Sequence, residues 1–358
     1  MRNDESILNL WIEGNLPTQP ECQELMILAL EDTDRAIALG FTPDRLKTQI
    51  PLQARLFQTL APRILQWIPR IPYQQLYHML WNLWLPLAIQ LTEAQQELNR
   101  PLIQGILGGQ GTGKTSLAMV LSLILNELGY SSASLSLDDL YKTYGDRQLL
   151  KTQDPRFIRR GPPGTHDIHL GIEVLKQCRN SQYPVEFPRF DKSAYAGEGD
   201  RTEPEVITHG DIIFFEGWFV GVQPINPDRL NFAPSPIESE EDRQFAQDIN
   251  QGLHKYLPLW DCLDRLIVLY PTDYQLSQQW RLQAEQEMIA TGKPGMSESE
   301  VKEFVNYFWR SLHPELFITP LTQNPELTDL VVEISPDHSP GRISSPMRWS
   351  YPQSGNDC

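Results

Sequence analysis

The stretch Ile103–Ser116, IQGILGGQGTGKTS, restricts most strongly what this chain can fold into. Ile106 and Leu107 read as the end of a short buried strand. A loop follows, Gly108-Gly109-Gln110-Gly111-Thr112-Gly113, and Lys114, Thr115 and Ser116 open a helix through SLAMVLSLILNEL. Gly108, four residues, then Gly113-Lys114-Thr115 is the spacing of a phosphate-binding loop. Glycines let the backbone curl until successive N–H groups face phosphate oxygens, and the helix aims its positive end at the same anion. Lys114 is placed to reach the β- and γ-phosphates, and the Thr115 hydroxyl to ligate Mg²⁺. The loop predicts nucleoside triphosphate binding and leaves the fate of the γ-phosphate to the rest of the chain.

From Pro101 onward strands alternate with helices, the pattern of a parallel sheet with crossover helices. SSASLSL, DIIFFE from Asp211 to Glu216, RLIVLY from Arg265 to Tyr270 and LVVEI from Leu330 to Ile334 join the loop's own strand. Five parallel strands predict a three-layer α/β domain over 96–335, with the site at the strands' C-terminal ends. Glu205–His209 reads as a short strand or a loop. Residues 1–95 read as an all-helical accessory region: Glu21–Leu39 is a helix stopped by Gly40, and Pro43–Ile68 is a leucine-spaced helix broken at Pro51 and Pro62. Trp67, Trp81 and Trp84 read as core anchors. Residues 336–358, rich in Pro, Ser and Gly, are expected to form a loose tail.

Composition narrows the partners. The chain of 358 residues carries 46 acidic and 30 basic side chains, a net charge of −16. That balance argues against nucleic acid or an anionic membrane surface as partner, since both need clustered Lys and Arg. The longest apolar run, Met79–Leu91, is too short to span a bilayer. Cys22, Cys178, Cys262 and Cys358 form no metal pattern and read as free thiols. A cytoplasmic monomer or small homo-oligomer is expected.

Three further stretches carry chemistry. SLDDLY puts Asp138 and Asp139 at the C-terminal edge of the second strand, where a carboxylate can take a proton from an attacking hydroxyl. The alternative is a helix N-cap, and both roles can coexist, with Asp138 the preferred base. Glu216, ending the strand DIIFFE, is the expected Mg²⁺-side carboxylate; Trp218 beside it shapes an acceptor pocket or belongs to the core. Two loops, RFIRRGPPGTHDIH and FPRFDKSAYAGEGDR, gather Arg159, Arg160, His166, Asp167, Arg189, Asp191, Lys192 and Arg201. Such a cluster in an acidic chain predicts a pocket for a small anionic acceptor, with Arg gripping a carboxylate through paired bonds. Arg160, His166, Asp167, Arg189, Asp191 and Lys192 are the chosen contacts, His166-Asp167 as an oriented hydrogen-bonding pair. A helical hairpin over about 271–310 reads as a lid. Arg281 on it either stabilises γ-phosphate charge or pairs with Glu285 one turn on, and Lys293 in the turn is a weaker candidate.

In this order GGQGTGKTSL, SLDDLY, RGPPGTHD, PRFDKSAYAGEGDR, FFEGWFVG, WRLQAEQEM and GKPGMSESEV resemble the D-glycerate 3-kinases of plant and cyanobacterial type. That family is similar in turn to the uridine kinase, phosphoribulokinase and pantothenate kinase group of P-loop kinases. The resemblance spans about residues 98–310. It implies the P-loop NTPase fold, ATP and Mg²⁺, and phosphorylation of the 3-hydroxyl of D-glycerate to 3-phosphoglycerate. It carries phosphate and metal binding onto Lys114 and Thr115, the base onto Asp138 and the lid arginine onto Arg281. Two alternatives remain: a sibling kinase with a pantothenate or nucleoside acceptor, and a non-catalytic nucleotide-binding regulator.

Overall fold

The computed structural model describes residues 3–68, 71–292 and 295–346. The chain starts with helices α1 (Asn3–Ile12), α2 (Gln19–Glu31), α3 (Thr33–Ala38), α4 (Pro43–Trp67), α5 (Tyr73–Met79) and α6 (Leu85–Leu98), with a π-helical turn, Leu80–Trp84, between the last two. Caps set the boundaries. Thr18 and Glu21 close a reciprocal capping box at the start of α2. Asp32 caps α3 by accepting from the Arg35 N–H, which divides the helix expected over 21–39. The prolines expected to break α4 do not: the helix runs through Pro51 and Pro62. Both prolines are exposed and lie off the helix's buried face. The buried stripe Leu46, Ile50, Phe57, Leu60 and Ile64 on the opposite face outweighs the local cost. Trp81 packs edge-on against Trp11 and Phe57, whereas Trp67 is exposed rather than a core anchor.

Strands β1 (Leu102–Gly108), β2 (Ser132–Ser136), β3 (Val185–Asp191), β4 (Asp200–Ile207), β5 (Ile212–Gly217), β6 (Arg265–Pro271), β7 (Leu330–Ile334) and β8 (Pro340–Ser344) follow. The main sheet has the order β2-β5-β1-β6-β7-β8. Its first five members are mutually parallel and β8 runs antiparallel to β7. The stretch 340–344 is therefore a strand, not loose tail. Residues 347–358, with Cys358, lie outside the described residues, as does Lys293. Helices α7 (Lys114–Glu127), α8 (Tyr144–Gln153), α9 (Ile168–Arg179), α10 (Glu240–Leu253) and α11 (Leu257–Trp260) intersperse the strands. Then α12 (Leu276–Ala290) and α13 (Glu298–Ser311) form the helical hairpin after β6, and α14 (Pro314–Phe317) leads back toward β7.

Alternation along the strands divides the core into two faces. Leu102, Ile106, Ile212, Phe214, Ile267 and Leu269 join α7 and the N-terminal helices in one cluster. Ile103, Leu107, Ile213, Phe215, Leu266 and Val268 join α9, α10 and α11 in the other. The N-terminal helices thus form one outer layer of the sheet's own core. No described helix is long and apolar enough to cross a membrane. A separate antiparallel hairpin, β3–β4, stands where the sequence suggested mainly loop.

Candidate active site

Parallel strands direct their C-terminal ends to one edge, and the phosphate loop, Glu216 and the turn after β2 converge there. Gly111 and Gly113 have φ of +79° and +85°, a conformation that side chains resist. A Cβ on Gly111 would also lie 2.6 Å from the Cβ of Trp280 on α12. The Lys114 ammonium donates to the Gly109 carbonyl at 3.0 Å, and Thr112 Oγ1 donates to the same oxygen at 2.9 Å. Burial holds the Lys114 ammonium below its ordinary pKa, against the opposing pull of Glu216 and Asp138. Glu216 is aligned with Ile106 of β1. It accepts from Thr115 Oγ1 at 3.0 Å, so the two lie together at the mouth of the loop.

The two aspartates divide their work. Asp139 completes a capping box with Ser136 around the turn Leu137–Leu140 and takes Arg189 at 2.9 Å. Asp138 faces the cleft: Tyr141 donates to Oδ1 at 2.8 Å and Lys192 to Oδ2 at 2.6 Å. Burial raises the Asp138 pKa, but Lys192 and the Tyr141 hydroxyl outweigh it, and the carboxyl ends below its ordinary value. It is a carboxylate at neutral pH.

A cleft of about 1270 Å³ joins these groups. Gln110, Gly111, Lys114, Thr115 and Glu216 line one end, Asp138 and Tyr141 the middle, and Arg147, Arg159, Arg160 and Lys192 a cationic wall. Arg281, Glu285, Phe304 and Phe308 contribute from α12 and α13. Trp218 lines the cleft too, its indole N–H donating to the Gly161 carbonyl at 3.1 Å. Arg281 is ion-paired with the buried Glu285 one turn along α12 and stacks on Phe304, 5.0 Å from its centroid.

Of the expected acceptor contacts, the fold brings Arg160 and Lys192 to the cleft and directs four elsewhere. His166 is 2% exposed. It stacks on Tyr141 and bonds Tyr256 through Nδ1 at 2.9 Å. Burial pushes its pKa down to about 3, so the ring is neutral. The expected His166-Asp167 pair does not form, because Asp167 caps α9 and takes Arg201 at 2.9 Å. Arg189 is bound to Asp139 and Glu205, and Asp191 accepts from Ser193 to turn the β3–β4 hairpin. Sequence reasoning missed Arg147, which reads as an ordinary helix-surface cation. It is buried and donates to the Glu198 and Gly199 carbonyls, which fixes the turn behind Lys192.

No family model matches the chain. It is 31% identical over 255 residues to the chloroplastic D-glycerate 3-kinase of Arabidopsis thaliana, covering 67% of this chain and 54% of that protein. The chain thus spans about half the length of that relative. An uncharacterized kinase of Schizosaccharomyces pombe is 33% identical over 221 residues, covering 58% of this chain and 79% of that one. This chain belongs to the glycerate 3-kinase-like family of P-loop kinases. The solved D-glycerate 3-kinase of Cryptococcus neoformans superposes with a TM-score of 0.65 at 28% identity, over 72% of this chain and 97% of that one. The Cryptococcus superposition leaves over a quarter of this chain uncovered.

Proposed function

We propose that the chain transfers the γ-phosphoryl group of ATP to the 3-hydroxyl of D-glycerate, giving 3-phosphoglycerate and ADP. One observation supports this above others. The Asp138 carboxylate, bound by the Tyr141 hydroxyl and Lys192 and caught in no helix cap, shares a cleft with the phosphate loop on one side and a cationic wall on the other. Asp138 accepts the proton of the acceptor hydroxyl as its oxygen bonds to phosphorus and the bond to the β-phosphate oxygen breaks. Lys114 offsets charge on the phosphate oxygens, and Arg281 adds to it once it turns from Glu285. Thr115 Oγ1 and the Glu216 carboxylate are hard oxygen donors side by side, a set that fits Mg²⁺. When bound, Mg²⁺ neutralises phosphate charge. The cationic wall suits a carboxylate-bearing acceptor better than a neutral nucleoside.

The test is ADP release from Mg-ATP with D-glycerate, L-glycerate, pantothenate or uridine. A rise with D-glycerate alone, with 3-phosphoglycerate recovered, is the expected result. A rise with pantothenate or uridine instead replaces the acceptor, and binding of ATP with no rise at all replaces the activity.

A further inference from the structure

We propose that Arg159 takes the acceptor's carboxylate, so that one uncommitted guanidinium selects hydroxy acids at this cleft. The inference rests on the kinase reading above and names the group that would give it specificity. The other arginines of the two loops are already engaged. Arg156 is bound to Asp154 and Asp248, Arg189 to Asp139 and Glu205, and Arg201 to Asp167 and the Tyr141 carbonyl. Of the three other arginines that line the cleft, Arg281 is paired with Glu285, and Arg147 holds three backbone carbonyls, those of Lys142, Glu198 and Gly199. Arg160 holds the carbonyls of Gly197 and Glu198 at 2.6 and 2.8 Å. These two brace the turn that carries Lys192. Arg159 lines the same cleft, and among the described residues its guanidinium makes no hydrogen bond or ion pair.

Arg159 is nevertheless held in place. Tyr307 of α13 donates to its backbone carbonyl at 3.3 Å. The guanidinium lies over the Phe304 ring, 5.4 Å from its centroid. The ring contact leaves the N–H groups of the fork without partners among the described residues, and such a fork accepts both oxygens of a carboxylate. Glu300, the lid carboxylate whose field reaches Arg159, is occupied by the N–H and hydroxyl of Ser297 at 2.8 and 2.7 Å. Lys151 also lines the cleft, but a single ammonium cannot form the paired bonds. The ring under Arg159 also carries Arg281. An acceptor held at Arg159 is thereby linked through Phe304 to Arg281, the residue proposed above to offset phosphoryl charge once it turns from Glu285.

The experiment compares the full chain with Arg159→Gln and Arg159→Lys. D-glycerate and glycerol, which keeps the hydroxyls and lacks the carboxylate, are the acceptors. Arg159→Gln should raise the KM for D-glycerate about 10- to 100-fold, the loss of charge-assisted hydrogen bonds. The KM for ATP and the melting temperature should hold, because Arg159 is exposed. The preference for D-glycerate over glycerol should fall by a similar factor, and Arg159→Lys should recover only part of it. An unchanged KM for D-glycerate in both variants overturns the inference, and so does an equal rise in the KM for ATP. Equilibrium titration with D-glycerate separates the two readings. Wild-type binding without turnover, lost in Arg159→Gln, removes the kinase reading and keeps the site; no wild-type binding removes both.

Discussion

Asp138 and Asp139 are adjacent, identical in chemistry and opposite in duty. Asp139 is committed to the Ser136 N–H and Arg189, while Asp138 takes the side-chain donors Tyr141 and Lys192 at the cleft. Asp138→Asn should therefore lower kcat by about 10²- to 10⁴-fold, the usual worth of a general base, with the KM for ATP near normal. Asp139→Asn should instead lower stability by about 1 kcal/mol, a lost cap, with kcat within a few-fold. Steady-state kinetics beside urea melts check both, and an active Asp138→Asn variant removes the base assignment. His166 gives a pH prediction of definite sign. Its native pKa is about 3 against 6.5 for a free imidazole. Below pH 6.5 the unfolded chain binds a proton that the native chain refuses, so stability is full above 6.5 and is lost as pH falls toward 3. At pH 5 this amounts to about 2 kcal/mol. Urea midpoints at pH 7.5 and 5.0 should diverge less in His166→Gln than in the wild type; equal divergence would refute the assignment.

At the scale of elements, the hairpin of α12 and α13 poses the sharpest question. Arg281 is now the i,i+4 partner of Glu285, whose other oxygen accepts from the Met296 N–H at 2.9 Å and ties α12 to the turn before α13. If Arg281 also faces the phosphoryl group during transfer, Arg281→Gln should lower kcat about 10²-fold. Glu285→Gln keeps an acceptor for Met296 and should change kcat far less. Single-turnover rates decide, and full turnover in Arg281→Gln would leave Arg281 as an ion-pair partner only. Elements whose pattern is local were legible in the sequence: the apolar runs of β1, β5 and β6 and the glycine spacing of the phosphate loop. The hairpin strand β4, DRTEPEVI, was legible only at its end, where Glu205–His209 reads as a short strand or a loop, because it is largely exposed and lacks an apolar face. Strand β8 was hidden by Pro340 and Gly341, which an antiparallel edge tolerates. The cationic wall of the cleft was legible only as a collection of charges. Which cation stays free depends on partners such as Arg189 and Asp139, 50 positions apart, and no local pattern encodes that.

For the whole molecule, the decisive feature is that the N-terminal helices have no core of their own. Trp11, Phe57 and Trp81 lie in the same apolar cluster as Leu121 and Ile124 of α7 and Ile106 of β1. Since α7 begins at Lys114, the phosphate loop leads directly into a helix that packs in the core of the N-terminal layer from Leu117 to Leu125. Arg342 of β8 reaches Asp34 at 2.9 Å, and His338, just before that strand, bonds the Gly111 carbonyl at 3.0 Å. The outer layer therefore touches the nucleotide loop by a second route. A chain built this way should unfold as one unit. Trp81 is 5% exposed, and Trp81→Ala should cost about 3–5 kcal/mol as an uncollapsed cavity. That loss should lower the melting temperature of the nucleotide site together with that of the helices, in a single transition. Far-ultraviolet circular dichroism and loss of ATP binding, followed through the same thermal ramp, should give coincident midpoints in wild type and variant. An N-terminal transition that precedes the loss of ATP binding would show instead that the helical layer is a separable domain.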